Sequence, residues 1–156
     1  MNYTEQNAKA IDRWIIEDNW EWGIPVSQEE CDKARRGEWG VLLTPTILVP
    51  KEWFLPFKGT KLLGLASGGG QQMPIFSILG AECTVMDLSD MQLESEKKVA
   101  QREGYEIEIA KADMTKPNFS GPMPISPING ASVAIANRSN ITKPNVHINI
   151  MTIQFS

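Results

Sequence analysis

Apolar residues recur along this chain at two different spacings, and the change between them falls near Thr60. Between Thr4 and Asn19, the positions Ala8, Ile11, Trp14 and Ile15 repeat at three- and four-residue intervals. That spacing predicts one amphipathic helix, with Thr4 as its N-cap and Glu5 in its first turn. Ser27 to Glu30 reads S-x-x-E, a capping box in which a hydroxyl and a carboxylate each satisfy a backbone donor that a helix start leaves open. A second helix follows and stops near Gly37. Pro25, Pro45 and Pro50 punctuate the stretch up to Pro56, so residues 1–58 read as an ordered N-terminal helical cap.

From Lys61 the pattern changes to short unbroken apolar runs. Lys61 to Ala66 fits a strand buried on both faces and ends in Ser67-Gly68-Gly69-Gly70. Gln71 to Leu79 suits a helix, because Pro74 is tolerated in a first turn and Gly80 can supply a left-handed stop. Cys83 to Asp87 is a second apolar strand. Ser89 to Gln92 is another capping-box pattern, and the helix it opens runs to Glu103 before Gly104 ends it. Tyr105 to Lys111 makes a third strand. Strands alternating with single helices in this way imply a βαβαβ unit over 59–118, with right-handed crossovers and spatial order 3-2-1, half of a doubly wound α/β sheet.

After Asn118 the character of the chain breaks. All 19 acidic residues precede that point, and only Arg138 and Lys143 carry charge beyond it. Pro122, Pro124 and Pro127 forbid helix, while Ala131 to Ala136 and Val146 to Phe155 have strand-like composition. Residues 119–156 are therefore expected to be a divergent tail, at best a β-hairpin beside the first strand, leaving the C-terminal half incomplete. An edge of that kind would expose unpaired backbone groups and could support a homodimer.

Composition narrows the function classes. With 156 residues, 42% of them hydrophobic and 22% charged, the chain can form one ordinary core. A formal charge of -4 argues against duplex binding, which needs a clustered excess of Lys and Arg. The sequence has no run of about 18 apolar residues and no leader-like start, so a cytoplasmic protein without a membrane partner is the expectation. Cys31 and Cys83, with the single histidine His147, support neither a disulfide framework nor a metal site.

The chemistry concentrates where the first strand meets the glycines. A ligand can touch backbone closely only where no Cβ intervenes, and a following helix start presents N–H groups to a carboxylate or phosphate. Three consecutive glycines exceed the needs of a tight turn, which is the alternative. Asp87 ends the second strand about twenty residues further on, where an acid can accept both hydroxyls of a ribose. Capping the next helix is its other possible role, although Ser89 is available for that task. Asp113 ends the third strand and is equally a ligand residue or a loop acid on spacing alone.

The segments LLGLASGGGQQ, VMDLSDMQLE and KADM resemble motif I, the acid-ended second strand and the third-strand acid of class I S-adenosylmethionine-dependent methyltransferases. They are closest to small bacterial members with a LASGGGQQ-like loop, and the resemblance extends over about residues 5 to 115. It implies a Rossmann-like fold, S-adenosylmethionine as cofactor and methyl transfer to an unidentified acceptor, expected to be a small molecule. It also implies that Ser67, Gly68, Gly69 and Gly70 approach the methionine end of the cofactor, with Ala66 among the cofactor-binding residues. Asp87 would take the ribose hydroxyls, Leu88 would border the adenine, and Asp113 with Met114 would meet the adenine edge. Commoner members carry an acid where Gly64 stands and a glycine where Ala66 stands. No general base is nominated by the sequence, and His147 in an alternating apolar strand reads as structural.

Two other readings compete. An NAD(P)-binding oxidoreductase would use a similar loop and Asp87, but the G-x-G-x-x-G pattern counted from Gly68 fails at Met73. A non-catalytic S-adenosylmethionine-binding module, or a truncated methyltransferase, is favoured by the short acid-free tail that stands where further strands and helices would complete the family's sheet.

Overall fold

The computed structural model describes residues 3–17, 24–44, 47–54, 56–67, 69–113, 132–139 and 148–155. Helix α1 (Tyr3–Glu17) and helix α2 (Gln28–Arg35) open the chain, followed by a short antiparallel ribbon of β1 (Leu42–Thr44) and β2 (Ile47–Leu48). A single 3-10 turn at Lys51–Trp53 leads to β3 (Lys61–Leu65), α3 (Met73–Ile78), β4 (Glu82–Asp87), α4 (Asp90–Glu103) and β5 (Glu108–Lys111). Strands β6 (Ser132–Ser139) and β7 (Ile148–Phe155) complete a sheet of order β5-β4-β3-β6-β7. The architecture is α/β: a parallel sheet flanked by helices, Rossmann-like, with an N-terminal helical cap.

Local chemistry accounts for the element ends. Ser27 and Glu30 form the full reciprocal capping box of α2, and Gly37 beyond it has φ +84°. Pro74 sits in the first turn of α3, where its missing N–H has no acceptor to lose, and Gly80 follows with φ +99°. Gly104 caps α4 in the left-handed conformation, its N–H donating to the Ala100 carbonyl at 2.8 Å. The Tyr105 N–H donates to the same carbonyl at 3.2 Å, so the chain is still turning off the helix there and β5 starts at Glu108, later than the apolar pattern implies.

The order β5-β4-β3, all parallel, is the 3-2-1 arrangement expected of the sequence. β6 then pairs parallel on the far side of β3, Leu62 opposite Val133 and Leu65 opposite Ala136, and β7 returns antiparallel along β6. The sheet therefore changes winding direction between β3 and β6. In open α/β sheets this switch leaves a crevice at the carboxyl ends of the strands, because the connections on either side leave in opposite directions.

The face of the sheet bearing Leu62, Cys83 and Val85 packs on Met73 and Phe76 of α3 and Leu93 of α4. The N-terminal segment closes this core with Val41 and Val49 and with aromatic rings. Phe57 stacks on Phe76 with centroids 5.0 Å apart, and Trp39 meets Phe57 edge-on at 5.1 Å. A second cluster of Val26, Cys31, Ala34, Ile75 and Val99 fixes α2 against α3 and α4. Arg35 reinforces it by donating to Glu103 Oε2 at 2.9 Å, and Arg102 Nη2 donates to the Val26 carbonyl at 2.7 Å.

Candidate functional site

The ends of β3, β4 and β5 are tied into one rim by the backbone. The Ala66 N–H donates to the Met86 carbonyl at 2.8 Å, and the Ala112 N–H to the Asp87 carbonyl at 3.1 Å. These bonds bring Ala66, Ser67, Asp87, Leu88 and Asp113 to the carboxyl edge of the sheet, beside the switch between β3 and β6. Gly68 and Met114, also expected there, lie outside the described residues.

Ala66 has φ +46°, the one non-glycine in the left-handed region among the described residues. A Cβ is unfavourable in that conformation, which explains why glycine would be the ordinary choice at this position. Ser67 is 2% exposed, and its hydroxyl has no hydrogen-bond partner among the described residues. Gly64 makes room for it: a Cβ there would stand 2.6 Å from Ser67 Oγ and 3.0 Å from Met73 Sδ. The space an acid would need at Gly64 is thus filled by Ser67 and Met73.

The remaining glycines answer to a different demand. A Cβ on Gly69 would lie 3.0 Å from the Gln92 Cα and carbonyl oxygen, and one on Gly70 would lie 2.8 Å from Val99 Cγ2 and 3.1 Å from Pro25 Cβ. Both residues face α4, and Gly70 has φ +80° besides. Ser95 Oγ donates to the Gly69 carbonyl at 2.9 Å, the Gly70 N–H donates to Glu96 Oε2, and the Val26 N–H donates to the Gly70 carbonyl at 2.7 Å. The loop is clamped between α4 and the N-terminal segment. Gly70→Ala should accordingly destabilise the fold by about 2 to 4 kcal/mol, combining a left-handed Cβ with overpacking. A urea midpoint that does not move would show that the packing at Val99 is slack.

Asp87 is 9% exposed. Its Oδ1 accepts the Ser89 N–H at 2.9 Å, and burial pushes its carboxyl above the usual range, against backbone donors at Ser89 and Leu88 and with help from the charge of Asp12. The Ser89–Gln92 pattern closes only in half: Ser89 Oγ accepts the Gln92 N–H at 3.1 Å, while the Ser89 N–H goes to Asp87 and not to Gln92. Asp87 therefore does orient the start of α4, the other role the sequence left open to it, and shares that task with Ser89.

Two acids in this region escaped the sequence reading. Glu96 is fully buried, and burial raises its carboxyl to about 8, opposed by the Gly70 N–H. Asp12 reaches from α1 to the start of α4, accepting from Ser89 Oγ at 2.5 Å and from the Met91 N–H at 3.3 Å. Both had a signal. Glu96 stands within the apolar stripe Leu93, Val99, Ala100, and Asp12 lies beside Ala8, Ile11 and Ile15 on the half-buried side of α1. A cavity of about 970 Å³ opens elsewhere, at the amino edge of the sheet among Lys61, Glu82, Cys83, Tyr105 and Glu108. Being at the opposite ends of the strands, it shares none of the residues of this rim.

The chain is 44% identical over 108 residues, 69% of its length, to the uncharacterized methyltransferase YbaJ of Bacillus subtilis (strain 168). It spans 42% of the length of that relative. No known family profile matches the chain. Among solved structures, the PH0226 protein from Pyrococcus horikoshii OT3 is 18% identical with a TM-score of 0.40, over 51% of this chain and 50% of that one. A structure described as "Conversion of a Disulfide Bond into a Thioacetal Group during Echinomycin Biosynthesis" is 15% identical with a TM-score of 0.45, over 72% of this chain and 42% of that one.

Proposed function

We propose that the chain binds S-adenosylmethionine at the carboxyl ends of β3, β4 and β5 and serves as the cofactor-binding half, 59–118, of a class I methyltransferase acting on a small-molecule acceptor. The observation that carries the reading is one of place. The segments that resemble the methyltransferase motifs carry a buried carboxylate, Asp87, at the end of β4 and a buried hydroxyl without a partner among the described residues, Ser67, at the end of the neighbouring β3, which borders the switch of the sheet.

The residues suit the cofactor. Asp87 is an acceptor for ribose hydroxyls, half-buried Leu88 offers an apolar border for adenine, and Asp113 stands at the adjoining strand end. Ser67 offers a donor and acceptor beside the left-handed Ala66, while Gly69 and Gly70 shape the cradle by lying flat on α4. When bound, the cofactor supplies a methyl group on a cationic sulfur. The chain's own contribution is to hold it in a fixed pose and keep water from the rim, which is most of what methyl transfer asks of a protein.

Calorimetric titration tests the reading. Saturable binding of S-adenosylmethionine and of its demethylated product is expected, with none of NAD. Binding of NAD alone would replace this reading with the dinucleotide one.

A further inference from the structure

We infer that Asp12, on α1, is a positioning residue for the Asp87–Leu88 strand end: its carboxylate locks Ser89 and the first turn of α4, and Ser89 in turn holds Asp87. The inference rests on reading that strand end as the cofactor site.

Ser89 is fully buried, and its hydroxyl and backbone N–H together join three hydrogen bonds. Its hydroxyl donates to Asp12 Oδ1 and accepts the Gln92 N–H, while its backbone N–H donates to Asp87 Oδ1. A hydroxyl has one hydrogen, so giving it to Asp12 turns the lone pairs toward Gln92 and fixes the rotor. The same Asp12 oxygen takes the Met91 N–H, one of the four donors that a helix start leaves without an intrahelical acceptor. A carboxylate is also favoured there by the helix dipole.

No residue of α1 is buried, and its inward side is only half covered at Ala8, Ile11, Trp14 and Ile15. Apolar contact alone gives this helix a weak hold, so the polar latch at Asp12 matters to where it sits. The charge of Asp12 also contributes to the upward shift of the Asp87 carboxyl, which places the two acids within electrostatic reach. Asp12 thus acts on Asp87 in two ways, by geometry through Ser89 and by charge directly. Replacement by asparagine separates them, since it keeps the acceptor and removes the charge.

The test combines amide hydrogen exchange on the full chain without ligand and titration with S-adenosylhomocysteine. Asp12→Ala should speed exchange at Met91, Gln92 and along α1 by about tenfold, and weaken binding by about tenfold, the loss expected for one charge-assisted hydrogen bond. Asp12→Asn should return both to within about threefold of the unaltered protein. Unchanged exchange in Asp12→Ala would overturn the latch. Faster exchange with unchanged affinity would overturn the positioning role. If the unaltered protein bound no S-adenosylhomocysteine, the cofactor reading would fall and with it Asp12's part in binding, while the exchange arm would still decide whether Asp12 holds Ser89 and Met91.

Discussion

Replacing Glu96 with glutamine should stabilise the protein by several kcal/mol at pH 8.5 and leave it nearly unchanged at pH 4. Glu96 is fully buried, and its carboxyl sits at about 8 against an ordinary 4.5. Below pH 4.5 the group is protonated in both folded and unfolded chains, so it contributes no pH dependence. Between the two values the unfolded chain loses its proton and the folded chain keeps it, so folding stability falls as pH rises. Above about 8 both forms are ionised and the loss levels off, at about 4 to 5 kcal/mol if the full shift is expressed. Glutamine can still accept the Gly70 N–H and does not titrate. Urea unfolding of both proteins across this range gives the difference directly, with the other titrating groups cancelling. Parallel curves would show that Glu96 is ionised and compensated in the fold.

Asp87→Ala should weaken S-adenosylmethionine binding by roughly 10- to 100-fold, since hydrogen bonds to a charged group contribute about 1.5 to 3 kcal/mol each and 1.4 kcal/mol is tenfold. Part of that loss is indirect, because Asp87 also orients Ser89. Asp87→Asn preserves an acceptor for the Ser89 N–H and should lose about tenfold, with α4 intact by hydrogen exchange. The raised carboxyl of Asp87 adds a pH signature: it takes up a proton at higher pH than an ordinary aspartate, so affinity should decline early on acidification. Calorimetry of the three proteins decides the matter. Equal affinities would return Asp87 to the helix-orienting role alone.

The parts of the fold that were legible in the sequence are those fixed by local chemistry. β3, β4 and α4 follow from unbroken apolar runs, a serine N-cap and Gly104, and their order follows from crossover handedness. The ribbon β1–β2 was not, because two or three paired residues carry no periodicity. Nor did Tyr105 to Ile107 betray that the chain is still leaving the helix there. At the candidate site, strand-end position was enough to bring Ala66, Ser67, Asp87 and Asp113 to one edge of the sheet, whereas what packs against the glycines was not legible. Gly69 and Gly70 are demanded by α4, a neighbour more than twenty residues away in sequence that no local pattern reveals. The place of Asp12 on the half-buried side of α1 was visible, but its partners lie on another helix altogether, so its role was not.

The position of β6 bears on the order in which the protein folds. Leu62 pairs with Cys83 at a separation of about twenty residues, whereas its other neighbour, Val133, is about seventy residues away. Closing the longer loop costs more chain entropy before any contact rewards it. The unit from β3 to β5 is therefore expected to assemble first, with β6 and its hairpin partner docking later. In such an order the free edge of β3 would offer an unpaired row of amides and carbonyls to any passing strand, the interval in which the chain is most exposed to misassembly.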